Sequence, residues 1–137
     1  MAGVEHMVAG LWIEDTLEAD PDLMSLVRGV HLSRAPSGVS LPAVIIDLQY
    51  AEDINPVGPR RVAARTIWIV RVVAQTNDVV SLMPIASRID ELLHAQGGEV
   101  PEGRVTSCRR ERPFYLPNVV NGAPEIQLGG IYRVLSR

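Results

Sequence analysis

The sequence predicts an α+β protein: a mostly antiparallel sheet of about five strands with two main helices packed on it, in the order α-β-β-β-α-β-β. An apolar strand pattern from Arg65 to Thr76 leads directly into a helix pattern with apolar residues every three or four positions. The other strand patterns suggest antiparallel pairs, and nothing alternates strictly enough for a Rossmann-like sheet. A chain of 137 residues is expected to form a single domain, here 1–137.

The first third of the chain predicts two helical segments and two strands. Val4 to Glu18 carries an apolar stripe and predicts the first helix, and Asp20-Pro21 then supplies an N-cap followed by proline at the first position of a short helical turn. Strands are predicted at Val30 to Arg34 and at Leu41 to Ala51. On the second of these strands one side carries Val44, Ile46, Leu48 and Tyr50. Glu52 to Arg61, with two prolines and a glycine, is predicted to be a long loop.

The third strand is apolar on both sides. Its first side carries Trp68, Val70, Val72 and Ala74. Its second side carries Ile67, Ile69, Arg71, Val73 and Gln75. A half-solvated strand has a clean polar side, so we expect the second side to be covered, and a partner subunit to cover it.

The helix that follows is predicted from about Val79 to Ala95. Asn77 or Asp78 caps its first turn, and Gly97-Gly98 supplies its stop. Pro84 either begins the regular helix or kinks a longer one, and we favour the kink.

The end of the chain predicts two more strands, Arg104 to Arg112 and Glu125 to Leu135. Two loops precede them, Gly97 to Gly103 and Pro113 to Pro124. Gly129-Gly130 in the last strand predicts a bulge or a close approach of two backbones.

Composition and motifs argue against several functions. The net charge of −3 disfavours broad nucleic-acid binding. All 13 basic residues are arginine, which excludes a P-loop lysine or a Schiff-base lysine. No common catalytic motif is present, so we expect no enzyme activity.

Metal, cofactor and membrane binding are not predicted either. His6, His31 and His94 share no local spacing, and too few ligands stand near any of them for a metal site. The single cysteine, Cys108, fits a reducing compartment and is expected to be buried and inert. No apolar run reaches the ~18 residues needed to span a bilayer, and a cytoplasmic origin is expected.

Arg109, Arg110 and Arg112 lie along the fourth predicted strand. They are either solvated, or pair with acidic groups of a neighbouring subunit, a use that suits the planar guanidinium group. Contact with DNA is a third option, and the acidic net charge makes it the weakest. The acidic candidates in the same chain are Glu14, Asp15, Glu18, Glu52, Asp53, Asp90 and Glu91.

Six short patterns stand in order along the chain: Asp20-Pro21, Arg28 to His31, Leu41 to Val44, Arg65 to Val73, Ile85 to Leu93 and Gly129 to Val134. Together with the order of elements, they resemble the tail terminator (tail completion) proteins of long-tailed bacteriophages and of related prophages and gene transfer agents. The resemblance covers nearly the whole chain.

The resemblance implies a structural virion protein at the tail-neck junction, made in the host cytoplasm. It implies a hexameric ring that caps the finished tail tube and joins it to head-completion proteins, with DNA passing through without sequence-specific binding. We then expect a subunit interface that includes Ile67, Ile69, Arg71, Val73, Arg109, Arg110 and Arg112. From the two long loops we expect contacts to tube and neck by Asn55, Pro56, Arg60, Arg61, Phe114 and Tyr115. The alternatives are another phage neck or head-completion protein, and a small-molecule-binding α+β domain with a pocket between helices and sheet.

Overall fold

The computed structural model describes residues 3–33, 40–55 and 63–137. Its helices are α1 (Val8–Glu18), α2 (Pro21–Met24) and α3 (Met83–Leu93), and 3₁₀ turns at Glu5–Met7 and Val79–Leu82 precede α1 and α3. Its strands are β1 (Val30–Leu32), β2 (Ala43–Ile54), β3 (Ala63–Ala74), β4 (Gly98–Val100), β5 (Gly103–Val120) and β6 (Ala123–Ser136).

The strands form one sheet in the order β1-β2-β3-β6-β5-β4. The β1–β2 pair is parallel, and the other neighbours are antiparallel. The predicted α+β class and the mostly antiparallel sheet are therefore confirmed. The sheet has six strands rather than five, because β4 lies inside the predicted loop Gly97 to Gly103; a three-residue strand is too short to show a period of two.

The helices pack on one side of the sheet, which we call the helical side. Trp68 of β3 is fully buried there, and its indole Nε1 donates to Thr66 Oγ1 at 2.8 Å. Complete burial of a large apolar side chain stabilises a fold by about 1.5–3 kcal/mol. The core on this side also includes Ile13 and Leu17 of α1, Val44 and Ile46 of β2, Val70 and Val72 of β3, Ile85 and Ile89 of α3, and Tyr132 and Val134 of β6.

The N-terminal segment follows its sequence signals closely. Asp20 caps α2, accepting from the Leu23 N–H at 2.9 Å, and Pro21 is the first helical residue, as predicted. Before α3, Asp78 accepts from the Val80 N–H at 3.1 Å. The favoured kink at Pro84 is wrong: a 3₁₀ turn ends at Leu82, and Pro84 stands in the first turn of α3, where its missing N–H costs little.

The stop of α3 also differs from the prediction. The helix ends at Leu93, and Ala95 adopts the left-handed conformation with φ 62°. Gly97 instead allows two backbone segments to lie close together, because a Cβ there would lie 2.8 Å from the Val105 carbonyl oxygen.

The segment Pro113 to Pro124 is not a loop, and this prediction was wrong. β5 and β6 run through it as a hairpin closed by Asn121-Gly122, with φ 53° and 80°. Positive φ at both residues is the type I′ turn that matches the twist of paired strands. Because Val120 pairs with Ala123 at this turn, alternation along β5 places the nitrogens of Pro113 and Pro117 on the edge facing away from β6.

The predicted loop Glu52 to Arg61 is wrong at its start. β2 continues to Ile54, which pairs with Ala63, and the remainder lies outside the described residues apart from Asn55. A bulge between Leu48 and Tyr50 shifts the register of β2. Tyr50 therefore lies opposite Ile67, on the other side of the sheet from Val44 and Ile46.

Gly129 confirms the predicted close backbone approach. A Cβ on this residue would lie 2.0 Å from the Val70 carbonyl oxygen, and the pairing of β3 with β6 continues through it without a shift.

Candidate assembly surface

The side of the sheet opposite the helices, which we call the open side, carries the apolar residues predicted for an interface. Ile67 and Ile69 of β3 are partly exposed there, and Val73 is 5% exposed. Cross-strand pairing places Ile131 of β6 opposite Ile69. None of these residues belongs to the core that the helices cover, as far as the described chain shows.

Arg71 lies on the open side and is already paired within its own chain. Its Nη1 lies 2.7 Å from Asp47 Oδ2, and its Nε donates to Gln127 Oε1 at 3.1 Å. The guanidinium group therefore ties β3 to both neighbouring strands. Its role within the subunit is structural, whatever it contacts outside.

The three arginines of β5 do not share one side. Arg109 pairs opposite Arg133, and Arg112 pairs opposite Ile131, so both lie on the open side. Arg110 pairs opposite the core residue Tyr132 and therefore lies on the helical side. A register shift between Arg110 and Arg112 puts these two residues on different sides of the sheet. The sequence could not reveal this, because simple alternation would give Arg110 and Arg112 the same side.

Arg110 belongs to a polar group on the helical side. Its Nε lies 3.8 Å from Asp90 Oδ1, and the Tyr132 hydroxyl donates to the same oxygen at 3.0 Å. Burial and the nearby Asp90 charge raise the pKa of the Tyr132 hydroxyl, so it stays protonated and donates to the carboxylate. This arrangement anchors α3 to the sheet.

Two more ion pairs lie on the open side. Arg65 Nη1 lies 2.5 Å from Glu52 Oε1, and Arg133 pairs with Glu111. The Tyr50 hydroxyl donates to Glu52 at 2.9 Å, and this bond together with the Arg65 pair lowers the pKa of the Glu52 carboxyl. The open side therefore carries the apolar residues of β3 and β6 together with ion pairs formed by Arg65, Arg71 and Arg133.

The residues predicted for tube and neck contacts belong to two segments, the connection between β2 and β3 and the β5–β6 hairpin. Asn55 is exposed, whereas Pro56, Arg60 and Arg61 lie outside the described residues. Phe114 lies opposite Gly129 on the open side and is half-buried, and Tyr115 points the other way and is 54% exposed.

Sequence reasoning missed two further apolar residues of this hairpin, Leu116 and Val119, which are 42% and 67% exposed. The Asn121-Gly122 pair was the signal that could have found them, because it predicts a hairpin and hence an ordered tip.

A cleft of about 620 Å³ opens at the end of β3, next to the start of α3. Ala74, Leu82 and Ile85 form part of its apolar lining, and Thr76 and Ser81 supply hydroxyl groups. No charged residue lines it among the described part of the chain.

Over the ranges 3–33, 40–55 and 63–137, no group of three or more metal-ligating side chains comes together. In the same ranges, no helix has the length and apolar character needed to cross a bilayer.

Comparison with solved structures identifies the class of fold. A chain of the structure described as "Virion of native gene transfer agent (GTA) particle" superimposes with a TM-score of 0.71, covering 99% of this chain and 100% of that one at 15% sequence identity. At this identity the likeness concerns the fold. No curated protein sequence matches the chain.

The family comparison is more specific. The profile of the family described as "Tail completion protein gp17" matches residues 13–117, and the chain belongs to this family. It is therefore a structural protein of a phage-type virion tail, as the sequence resemblance indicated.

Proposed function

We propose that this protein is the tail terminator: a ring of identical subunits, most simply a hexamer, that caps the tail tube at the tail-neck junction and joins it to a head-completion protein. Genome DNA passes through the ring without sequence-specific contacts. The role is one of assembly, and it asks for contact surfaces rather than for catalytic residues.

The observation that carries the proposal is the partly exposed apolar surface of β3 on the open side. Ile67 and Ile69 keep part of their surface accessible while every described helix packs on the opposite side. Apolar area removed from water contributes about 25 cal/mol per Å², and permanent interfaces between subunits are apolar in their centres. A neighbouring copy that covers these residues gains this stabilisation.

The ends of the two hairpins serve the partners above and below the ring in this proposal. Tyr115, Leu116 and Val119 give the β5–β6 hairpin exposed apolar groups. Asn55 stands where the β2–β3 hairpin leaves the described residues, before Pro56, Arg60 and Arg61. The two partners, tube and neck, then meet different segments of the subunit.

The test is a pair of substitutions at adjacent positions of β3. Ile69→Asp places a charge on the open side, and we expect a folded protein whose light-scattering mass falls from that of the ring to the 15.0 kDa of one chain. Val70→Asp, the matched control, places the same charge in the helical core and should unfold the protein. Retention of the wild-type mass by the Ile69→Asp protein would contradict the proposed interface.

The cleft at the end of β3 favours one other candidate, a small-molecule-binding domain. Its volume of about 620 Å³ falls within the range of ligand pockets. A monomer of unchanged mass at all concentrations, together with a ligand that raises the melting temperature, would favour this function over the ring.

A further inference from the structure

Several of the acidic residues that could pair with a neighbouring subunit already have partners within their own chain. Of the acidic candidates, Glu52 pairs with Arg65, Glu91 with Arg88, and Asp90 lies within 4 Å of Arg110. Asp53 is engaged as well. The remaining candidates are Glu14, Asp15 and Glu18, none of which forms an ion pair with a described arginine.

These three carboxylates occupy an unfavourable place. They stand in the last two turns of α1, with Glu18 one helical turn after Glu14 and Asp15, and the last turn holds no basic residue. Like charges at this spacing repel each other, and the end of a helix disfavours negative charge. Burial and the charges of Glu14 and Asp15 raise the pKa of the Glu18 carboxyl.

Two arginines on the open side of β5 are in the opposite situation. Arg109 and Arg112 are exposed and form no ion pair with any acidic residue in the described ranges. Arg109 stands directly opposite another arginine, Arg133, whose own partner is Glu111. Within the described residues, neither set forms an ion pair with an opposite charge of its own chain. His31 lowers the pKa of the Glu18 carboxyl, but this effect is smaller than those that raise it.

The fold keeps the two sets apart. Glu14 accepts from the Leu32 N–H of β1 at 3.2 Å, so the acidic end of α1 lies beside the first strand of the sheet, on the helical side. Arg109 and Arg112 lie on β5, four strand spacings away and on the open side. Four spacings amount to about 19 Å, which is beyond an ion pair within one chain.

We propose that the open side of β5 in one copy docks against the acidic end of α1 in the next copy, with Arg109 and Arg112 facing Glu14, Asp15 and Glu18. This inference rests on the proposed ring and names the surfaces that form it. The two surfaces lie near opposite edges of the sheet and on opposite sides of it, so each copy uses one surface for one neighbour and the other surface for the next. Such a head-to-tail contact forms a closed ring when the rotation between neighbouring copies divides a full turn evenly.

The experiment reverses the two sets separately and together. The arginine variant is Arg109→Glu with Arg112→Glu, and the acidic variant is Asp15→Arg with Glu18→Arg; Glu14 is left in place because it holds β1. Each variant alone should lose the ring mass in light scattering while its circular dichroism stays that of the wild type. Arg110→Gln, on the same strand but on the helical side, is the matched control and should leave the mass unchanged.

Restoration is the decisive result. A protein that carries all four substitutions should recover the ring, and so should an equimolar mixture of the two variants, because copies that alternate around a six-membered ring restore every contact. Loss of the ring without restoration by either route would overturn this pairing while leaving the ring itself standing. An arginine variant that keeps the wild-type mass would overturn it as well.

If the wild-type protein is a monomer in light scattering, the pairing is tested by cross-linking at high protein concentration. The variant Asp15→Cys with Arg112→Cys, treated with a short bismaleimide, should give a ladder of multimers, whereas each single variant should give dimers at most. Absence of the ladder would overturn this pairing, whereas the ring itself is tested by the Ile69→Asp variant.

Discussion

Asp20 joins two helices through one carboxylate. It caps α2 and also accepts from Arg88 of α3, with Nε to Oδ2 at 2.9 Å and Nη2 to Oδ1 at 2.7 Å. The hydrogen bonds from Arg88 hold the pKa of this carboxyl down to about 2. The ionised form is therefore part of the folded structure.

Asp20→Asn should lower the melting temperature at pH 7, because the cap and the ion pair both weaken. Since the folded pKa lies below the unfolded value near 3.8, the ionised carboxylate contributes fully above that value and its contribution is lost as the pH falls towards 2. The difference in melting temperature between wild type and variant should therefore shrink from pH 5 to pH 2. Asp22→Asn is the control, since Asp22 is 82% exposed and 3.9 Å from Arg88, and it should have little effect. A pH-independent difference would contradict this account.

Cys108 is fully buried beneath the helices, and burial raises the pKa of its thiol to about 12, with a smaller contribution from the charge of Asp90. Because the thiolate is the reactive form, the folded protein should react with Ellman's reagent at pH 8 only as fast as it opens. One thiol should react promptly in guanidinium chloride. Ser107→Cys, the exposed neighbour on β5, should react at once in the folded state; rapid reaction of the wild type would show that Cys108 is accessible.

At the scale of elements, two glycines of the β5–β6 hairpin are needed for different reasons: Gly122 for its positive φ, and Gly129 for its close approach to β3. Gly122 has φ 80° and open space around it, so Gly122→Ala should cost only the conformational penalty of about 1 kcal/mol. Gly129→Ala should cost about 3 kcal/mol or more, because its Cβ would overlap the backbone of β3. Urea unfolding of both variants measures the difference, and equal losses would contradict the close approach of β3 and β6.

The elements that sequence reasoning predicted well are those with strong periodicity. β3 and α3 show clear apolar patterns, and their core residues lie where the patterns placed them. The hairpin was missed because prolines argue against a strand, although Pro113 and Pro117 point their nitrogens away from the ladder. The bulge between Leu48 and Tyr50 leaves no periodic signal, so the side of Tyr50 could not be predicted.

At the scale of the whole molecule, the sequence predicted the family and the existence of a second apolar side, but not the distribution of charge over the two sides. Trp68 and Ile69 were assigned to opposite sides by simple alternation, and the structure agrees. The side of Arg110 depends on a bulge, and the pairing of Arg71 depends on Asp47, 24 residues earlier in the chain. Such contacts are set by tertiary structure and have no local signature.

Pro113 and Pro117 also limit how two copies of the chain can join. They remove two N–H groups from the outer edge of β5, so a second chain cannot extend the sheet there by a continuous backbone ladder. In the proposed ring, neighbouring copies are then joined through side chains rather than through a sheet shared along this edge. Each subunit keeps a sheet of its own, so the ring is an association of separate sheets and not one continuous barrel.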